Sequence, residues 1–531
     1  MIKFRKSVLA ALAAVAATSL AACNKKTANS EGSLVFWGSF GSKYSAKLES
    51  IVSDISSSLG YEIKYESKGS YPGIRKAVVD SIANIVYPTV AVGYPDHFAQ
   101  YQGSGILRKL DDYVTSDMLA DYDANYMPEN YLYDKDGSKH LYGVPFNKST
   151  ELLGYNGVFV DYVAEKYNDP SVKVLPETWD DWAAAKANAE ASEIPTSKTG
   201  KYYKAFYDLV DRRTKLYAIQ ETDGTAHDFS ESPAAGKKLV LDYSGLNSEK
   251  PRNDVMFFTW DSTDNAFITM LRQFGGKYTE LPESERTITP KKRQGHILFA
   301  KEGDNRNKTL EMLKFLNGMA KDEIFGTPAD FGGNASFSSE AFSKGQCMFM
   351  ICSSGGLSYN TNNWEKRFRL APIPYKDADK KFVISQGANL CLTDNGPADK
   401  GFELIKKLTT GEFQTRWAIE TGYFPASVSS STSTAYQSFL NDTSYADPIL
   451  VTYREGARVN ETEYRAKNWN RFVDDAFIGS AVIREQIAFI IPNVLNAVSK
   501  DKINFDDAYM AEINKILTSE VIRTNGNIVV D

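Results

Sequence analysis

Short apolar runs alternate with helix-like patterns along the first part of the chain. Leu34–Trp37 is a short apolar run, and apolar residues over 44–59 then recur at the spacing of a helix with one buried face. Residues 61–65 predict a second strand, 74–85 a second helix and 89–92 a third strand. This βαβαβ order predicts a parallel sheet with right-handed crossovers.

Loops that leave the carboxyl ends of parallel strands open on one crevice, where ligands bind. Three segments qualify, 38–43, 68–71 and 94–97, and each is small or polar with an aromatic residue nearby. Such a surface offers hydrogen bonds and ring faces to a small polar molecule. Turns are polar in most proteins, however, so these segments could equally be turns without a ligand.

A larger second body begins near Ser149. Thr178 and Asp181 predict the cap of a helix, and residues 192–253 form a long polar insertion. Residues 347–352 (CMFMIC) are apolar at every position, which predicts a strand buried on both faces. The helices predicted in this body lie at 179–191, 204–216, 267–274, 397–408, 412–421, from about Trp469 to Pro492, and at 506–517.

The N-terminus has the pattern of an export signal. A basic start is followed by a mainly apolar run of 13 residues from Val8 to Leu20, too short for a membrane-spanning helix, which needs about 20 residues. The run ends in LAAC, which resembles the lipobox of bacterial lipoproteins. The resemblance implies that residues 1–22 are removed and that Cys23 is lipidated. Residues 23–32 would then tether the protein to the outer face of the cell membrane, or to the periplasmic side in a cell with two membranes. An ordinary signal with a Cys by chance is the alternative.

Length and charge narrow the class of protein. A chain of 531 residues is longer than one hydrophobic core usually supports, which predicts two or more lobes. Its composition, 42% hydrophobic and 24% charged residues, is typical of a soluble globular protein. The formal charge is 61 − 67 = −6 without a basic block that could follow phosphates, which argues against nucleic acid as a partner. Aromatic residues make up 12% of the chain and could fill the core or line a cleft.

The chain offers little for catalysis. Its four histidines lack metal-binding spacing, and the nucleophile-elbow and phosphate-loop motifs are absent, so we expect neither a metal nor a cofactor. Cys347, Cys352 and Cys391 are predicted to be buried free thiols. A surface glycosidase stays open, because two acidic residues suffice for that chemistry and 67 are present.

Seven motifs occur in the order found in one family. They are YPDHFAQY (94–101), VPFNKSTELLGYN (144–156), PETWDDW (176–182), FGG (274–276), SKGQCMFMICSSGG (343–356), QGANL (386–390) and TGYFP (421–425). With the lipobox in front of them, the sequence resembles the bacterial extracellular solute-binding protein family 1. Members of that family are lipid-anchored receptors of ABC importers for maltodextrins, other sugars and glycerol phosphate.

The resemblance implies an α/β, periplasmic-binding-protein-like fold of type II, with two lobes, three interlobe crossings and a central cleft. The crossings are expected near 149–152, 384–386 and 426–429. The N-lobe would comprise 33–149 and 386–427, and the C-lobe 150–385 and 428–531 with the insertion at 192–253.

The resemblance also implies a function. The protein would be a monomeric receptor without catalytic activity that closes on a mono- or oligosaccharide and delivers it to the permease subunits of an ABC importer. Ligand-binding candidates from the N-lobe are Ser39, Lys43, Tyr71, Tyr94, Asp96, His97 and Gly387. Those from the C-lobe side are Ser149, Trp260, Asp264, Asn265, Ser353 and Ser354, with Tyr423 at the third crossing. The foremost aromatic candidates are Tyr71, Tyr94, Trp260 and Tyr423.

Some of these residues could have purely structural roles. Trp37 and Phe98 are expected in the core, since aromatic residues mostly bury for packing. Asp96 could cap the helix that begins there instead of accepting sugar hydroxyls. Tyr423 could belong to a rigid turn.

Two departures from the family pattern limit the choice of ligand. Ser480 stands where the glycerol-phosphate branch has an arginine, with Arg484 one turn further on, so a phosphate ligand is not favoured. Ser354-Gly355 replaces the second aromatic platform of the maltodextrin branch, which disfavours a long stacked glucan. A surface glycoside hydrolase and a receptor for a polyol or glycerol phosphate stay as alternatives.

Overall fold

The computed structural model describes residues 33–39, 42–216, 241–331, 337–360, 368–445, 447–467, 469–499, 502–523 and 525–530. The predicted signal (1–22), Cys23 with its tether, and residues 217–240 of the predicted insertion lie outside the described residues.

Helices and strands alternate along most of the described chain. In chain order the strands are β1 (Ser33–Gly38), β2 (Glu62–Ser67), β3 (Val90–Gly93), β4 (Tyr131–Tyr133), β5 (Lys139–Leu141), β6 (Gly143–Pro145), β7 (Ser149–Asn156), β8 (Lys215–Leu216), β9 (Leu241–Asp242), β10 (Met256–Trp260), β11 (Thr279–Glu280), β12 (Gly295–Ile297), β13 (Phe325–Gly326), β14 (Cys347–Ser353), β15 (Phe368–Ala371), β16 (Phe382–Gln386), β17 (Asn389–Leu392), β18 (Asn470–Phe472) and β19 (Ile528–Val530). The α-helices are α1 (Ser42–Leu59), α2 (Tyr71–Ser81), α3 (Pro95–Gly103), α4 (Ser116–Asp121), α5 (Gly157–Lys166), α6 (Trp179–Ala183), α7 (Ala185–Glu190), α8 (Lys198–Asp211), α9 (Thr263–Gln273), α10 (Asp304–Lys321), α11 (Ser339–Ser343), α12 (Leu357–Asn360), α13 (Ala398–Leu408), α14 (Gly411–Thr421), α15 (Val428–Ser431), α16 (Thr434–Asn441), α17 (Pro448–Val459), α18 (Ser480–Ile487), α19 (Ile490–Ser499), α20 (Phe505–Thr518) and α21 (Glu520–Arg523).

Contacts divide the chain into two compact units. The first comprises the described residues up to Val92 together with Leu392–Leu404. The second comprises Gly93–Cys391 and the described residues from Ile405 onward. The lobe boundaries expected at 149, 386 and 427 stay a prediction.

The first unit is built on a parallel sheet. β1 pairs with β2 along its whole length and with β3 at Phe36 and Trp37, in parallel register throughout. The predicted βαβαβ pattern is therefore confirmed, with α1 and α2 as its helices. Trp37 is 6% exposed, which confirms its expected place in the core. Residues 392–404 return to this unit, where the Thr393 N–H donates to the Thr89 carbonyl at 2.9 Å.

A mixed sheet organises the second unit, in the order β13-β10-β14-β7-β16-β18, with β15 also paired to β7. β14 is the strand predicted from CMFMIC, and it lies between parallel β10 and antiparallel β7. Its residues 347–352 are all buried, as the continuous apolar run predicts. Cys347, Cys352 and Cys391 are buried free thiols, which confirms that prediction.

Aromatic side chains fill the core beside this sheet. Trp182 stacks on Tyr202 at 6.1 Å between ring centroids and meets Phe349 edge-on at 4.7 Å. The predicted cap is present, because Thr178 Oγ1 accepts the Asp181 N–H at 3.1 Å. The helix expected to run through 191 is broken into α6 and α7, and the one expected at 204–216 is α8.

The prediction of a helix from about Trp469 is wrong for the first part of that stretch. Residues 470–472 form β18, paired in parallel with β16, and the helix begins only after Gly479, which has a φ of 105°. Pro492 lies in the first turn of α19, where a missing N–H costs no helical hydrogen bond. Residues 480–499 are long and apolar enough to cross a membrane by length and composition, yet α18 and α19 bury Ile487 and Ile490 completely in the core.

Three chain segments lie side by side where the crossings are expected. Residues 149–150 pair with 385–386 in antiparallel register, and Lys148 forms a bridge with Phe424. All of these residues belong to the second unit.

Gly387 sets the distance between two of these segments. Its backbone has a φ of 97°, and a Cβ at this position would lie 1.7 Å from the Asn147 carbonyl oxygen. Only glycine permits both the left-handed conformation and this close approach.

We expect Gly387→Ala to destabilise the protein by about 3 kcal/mol or more, because the added Cβ must displace backbone. Gly318→Ala is the matched control, since Gly318 lies inside α10 with no atom within 4 Å of an added Cβ. Alanine there should stabilise the helix by about 0.5–1 kcal/mol. Urea unfolding followed by circular dichroism measures both, and wild-type stability of Gly387→Ala would contradict the close approach.

Candidate functional site

A cleft in the second unit gathers side chains from distant parts of the chain. It lies between the start of α3, residues 384–387 and the segment that connects β18 to α18. Its lining includes Tyr94, Asp96, Glu129, Tyr278, Ser385, Gln386, Gly387, Asp474, Asp475, Ser480 and Arg484.

The N-terminus of α3 brings two predicted residues to this cleft. Tyr94 is the extended N-cap residue and Pro95 the first helical residue, whose fixed φ suits a helix start. Asp96 Oδ1 accepts the His97 N–H at 2.9 Å, so Asp96 lies in the first turn and is not the N-cap. The helix dipole favours a carboxylate at this position. His97 is 3% exposed, and its Nδ1 accepts the Tyr94 N–H at 3.5 Å, so this imidazole supports the helix start.

Arg484 in α18 is held by two predicted residues of α9. Its Nε donates to Asp264 Oδ2 at 2.9 Å and its Nη2 to Asn265 Oδ1 at 2.5 Å. Ser262 Oγ donates to the other Asp264 oxygen at 2.5 Å. Burial disfavours the charge on Asp264, but the adjacent guanidinium outweighs it and lowers the pKa of that carboxyl. The two charges therefore stabilise each other at the cleft.

Behind this pair lies Glu151, a fully buried carboxyl that the sequence did not single out. Trp260 Nε1 donates to Glu151 Oε1 at 2.7 Å, and the Thr269 hydroxyl donates to Oε2 at 3.5 Å. Asn265 also hydrogen-bonds the carboxyl, which links it to the Arg484 side chain. Burial raises the pKa of Glu151 to about 8, so the carboxyl is protonated at neutral pH.

Trp260 has a different place from the one expected of an aromatic platform. Its ring is 1% exposed and stacks on Trp179 at 5.9 Å between centroids. The indole packs in the core and uses its N–H on Glu151. In this structure Trp260 therefore orients a polar group and presents no ring face to the cleft.

The segment after β18 brings two adjacent carboxylates to the cleft. Asp474 pairs with Arg272 at 2.9 Å, while burial raises the pKa of Asp474. Asp475 is exposed, and its Oδ2 accepts the Leu281 N–H at 3.1 Å. Sequence reasoning missed both because the stretch was expected to be helical. The doublet of charges in an apolar stretch before Gly479 was the signal that could have found them.

The predicted serines lie where β7 meets its neighbours. Ser149 begins β7. The Ser354 hydroxyl accepts the Thr150 N–H at 3.3 Å, and the Ser353 hydroxyl accepts the Gly355 N–H at 3.2 Å. Both hydroxyls therefore bind backbone at the crossing.

Tyr423 and Gly387 lie near the other two segments where crossings are expected. Tyr423 follows Gly422, the left-handed residue that ends α14, and its ring lies against Gly355, where a Cβ would come within 3.0 Å. Gly387 lines the cleft with backbone alone.

Three candidates belong to the first unit. Ser39 follows β1 and is 5% exposed, and Tyr71 is the first residue of α2, behind the Ser70 cap. Lys43 lies in α1, and its side chain is outside the described residues. All three stay predictions as ligand contacts.

The remaining cleft residues were outside the sequence candidates. From the sequence, Ser385 and Gln386 were named only as part of an expected crossing. Arg484 was named only in the comparison with the phosphate-binding branch of the family. Glu129 and Tyr278 had no local signal, because neither lies in a motif. The cleft as a whole offers carboxylate and amide acceptors, a fixed guanidinium and hydroxyl groups, which suits a small molecule rich in hydroxyls.

We expect Glu151→Gln to change the pH dependence of stability. The pKa of Glu151 is raised in the folded protein, so its stability contribution is complete below the unfolded value of 4.5 and is lost as pH rises towards 8. Relative to Glu151→Gln, the wild type should therefore lose about 3–5 kcal/mol between pH 5 and pH 8. Urea unfolding across this range measures the difference, and a constant difference would contradict the buried neutral carboxyl.

The family comparison covers most of the chain. Residues 51–442 match the profile of a family described as bacterial extracellular solute-binding protein. A comparison with curated protein sequences gives no match.

Solved structures share the fold at low sequence identity. UgpB from Mycobacterium tuberculosis, in complex with glycerophosphocholine, has a TM-score of 0.59 and 15% identity, over 92% of this chain and 98% of that one. The GacH receptor of Streptomyces glaucescens, solved unliganded and with acarbose, has a TM-score of 0.60 and 14% identity, over 93% of this chain and 100% of that one. The sugar-binding protein MalE from Xanthomonas citri has a TM-score of 0.58 and 14% identity, over 92% of this chain and 97% of that one.

These likenesses confirm the expected two-lobe fold class, which is that of the maltose-binding proteins. The family profile matches well over half of the residues of this chain. The chain therefore belongs to the bacterial extracellular solute-binding protein family.

Proposed function

We propose that the protein is a lipid-anchored, extracytoplasmic receptor that closes on a mono- or oligosaccharide and delivers it to an ABC importer. Membership in the solute-binding family supports binding as the function, without chemistry on the ligand. The receptor and sugar-binding protein among the solved structures of the same fold support a carbohydrate as the ligand.

The observation that carries this proposal is the fixed polar array at the cleft. Asp264 and Asn265 hold Arg484 by two hydrogen bonds, and Asp96 is oriented by the backbone of its own helix. Side chains that are already held in place lose little conformational entropy on binding, so more of the contact energy appears as affinity. Sugar hydroxyl groups both donate and accept hydrogen bonds, and this array supplies partners for both.

Residues of both predicted lobes line this one cleft. Asp96 and Glu129 lie in the ranges of the predicted N-lobe, and Asp474 and Arg484 in those of the predicted C-lobe. A ligand that contacts both sets favours the closed form, which is the state that a permease recognises in this proposal.

Two further contacts join the same predicted ranges without a ligand. Arg465, at the end of a π-helical turn that extends α17, forms an ion pair with Asp123. Arg471 Nη1 donates to the Tyr126 hydroxyl at 2.8 Å. Both contacts join the two predicted ranges in this structure without the help of a ligand.

A polyol phosphate is the second candidate ligand, because Arg484 lies at the cleft and one solved structure of this fold contains glycerophosphocholine. The charge on Arg484 is, however, already balanced by Asp264 at 2.9 Å. Asp96 and Asp475 line the same cleft and would repel a phosphate. A neutral sugar therefore fits better than a phosphate ester.

A sugar that binds should raise the melting temperature. Binding at 100 times Kd stabilises the folded state by about 2.7 kcal/mol. We expect at least one compound in a panel of sugars, polyols and sugar phosphates to shift the transition, and Asp96→Ala to remove the shift for the best hit. Differential scanning fluorimetry measures both.

The matched control is Asp117→Ala. Asp117 occupies the second position of α4, as Asp96 does in α3, but it is exposed outside the cleft. The Asp117→Ala variant should keep the ligand shift. A panel without any shift would contradict the receptor proposal, and cleavage products in the incubated panel would favour the glycosidase alternative.

The proposed anchor is tested separately. Cys23→Ser should move the protein from the membrane fraction to the soluble fraction of expressing bacteria, because no acyl chain can then be attached. Immunoblots of the two fractions measure this, and an unchanged distribution would contradict lipidation at Cys23.

A further inference from the structure

The cleft has an excess of negative charge. Its lining contains four carboxylates, Asp96, Glu129, Asp474 and Asp475, and one guanidinium, Arg484. Whether this excess matters to a ligand depends on which of these charges already have a partner.

Three of the five charged groups are balanced within the protein. Glu129 Oε1 lies 2.5 Å from Lys148 Nζ, and Asp474 Oδ1 lies 2.9 Å from an Arg272 nitrogen. Arg484 is paired with Asp264, as described above. These pairs contribute no net charge to the cleft.

Asp96 and Asp475 are the two cleft carboxylates that form no salt bridge with a Lys or Arg among the described residues. In the described part of the chain, Asp475 has no cationic group within 4 Å, and its one hydrogen bond comes from a backbone N–H. Asp96 has the His97 ring nitrogen at 3.7 Å and also attracts the Arg484 guanidinium, whose salt-bridge partner is Asp264 at 2.9 Å. The carboxylates of the cleft therefore exceed the cations that pair with them, and the excess lies at Asp96 and Asp475.

A second observation indicates that a ligand belongs at these carboxylates. Ser385 is 8% exposed and lines the same cleft, yet its hydroxyl has no hydrogen-bond partner among the described residues. The same holds for Oε1 of Gln386. Buried polar atoms without partners are rare in folded proteins, and a bound molecule is one way to satisfy them.

A metal ion is a poor occupant for this excess charge. Over the described residues, no group of three His, Cys, Asp or Glu is arranged to hold one. An organic cation needs fewer ligands, since an ammonium group binds a carboxylate through one or two charge-assisted hydrogen bonds.

We propose that the solute is a sugar that carries a protonated amine, with its ammonium group paired to Asp96 or Asp475 and its hydroxyl groups bound by Ser385 and Gln386. This inference rests on the proposed receptor function and specifies the class of sugar. It also means that the cleft discriminates against uronates and sugar phosphates, because these would add negative charge beside the two free carboxylates.

The test uses ligands that share one ring and differ in one substituent. Glucose, glucosamine, N-acetylglucosamine and glucuronate form one such set, and the corresponding galactose compounds form a second. Isothermal titration at low salt and neutral pH gives Kd for each. We expect the amino sugar of at least one set to bind tenfold or more tightly than both its neutral parent and its N-acetyl derivative, with the uronate weakest.

Asp475→Asn tests whether the carboxylate is responsible. Either this variant or Asp96→Asn should lower the ratio of amino-sugar to parent-sugar affinity from at least tenfold to less than threefold, and an unchanged ratio in both variants would overturn the inference. Asp80→Asn is the matched control, since it removes one negative charge at an exposed helix position outside the cleft and should leave the ratio unchanged.

The outcomes separate this inference from the receptor proposal. Neutral or N-acetylated sugars that bind as tightly as amino sugars would overturn the inference and leave the receptor function standing. Tightest binding of a uronate would overturn it as well. If no sugar of any class binds, the proposed function fails and the inference with it.

Discussion

The arrangement of the second unit depends on the burial of one charge. Lys148 is fully buried, and loss of solvent lowers its pKa. An ammonium group in such a place is tolerated only if it is paired and hydrogen-bonded. Glu129 supplies the counter-charge at 2.5 Å, and the Gly387 carbonyl and Asn389 Oδ1 accept further hydrogen bonds at 3.2 and 3.4 Å. The Lys148 carbonyl also accepts the Phe424 N–H at 2.7 Å, so one residue contacts all three crossing segments.

This constraint couples the crossings to the cleft. Glu129 neutralises Lys148 and also lines the cleft. Asn389 Nδ2 donates to the same Glu129 oxygen at 2.7 Å, which fixes the carboxylate from a second side. A ligand that contacts Glu129 would therefore contact the partner of the buried lysine directly.

The predictable part of the fold is the part that local sequence determines. The βαβαβ pattern and the strand CMFMIC follow from the periodicity of adjacent residues, and the Thr178 cap follows from a spacing of three. The stretch after Trp469 could not be predicted in this way. Its apolar composition suits a helix, but pairing with β16 makes 470–472 a strand, and that partner lies about 90 residues away in sequence.

The candidate site shows the same limit more sharply. Asp96 could be found because the order of strands and helices places a loop there. Glu151 could not, because a carboxyl in an apolar strand has no meaning until Trp260 is seen to donate to it. Trp260 itself was expected at a ligand for its ring, yet its place in the core depends on contacts with Trp179. The residue type determines which interactions a side chain can form. Tertiary packing determines where in the protein it forms them.

The three buried thiols have a practical consequence. Burial raises the pKa of Cys347 and Cys352, so these side chains stay as unreactive thiols, and Cys391 is equally inaccessible. In the part of the chain that the structure describes, alkylating reagents therefore find no accessible sulfur. A single cysteine introduced at the rim of the cleft could carry a fluorophore without background labelling of these three thiols, which would turn the protein into a reagentless optical sensor for its own solute.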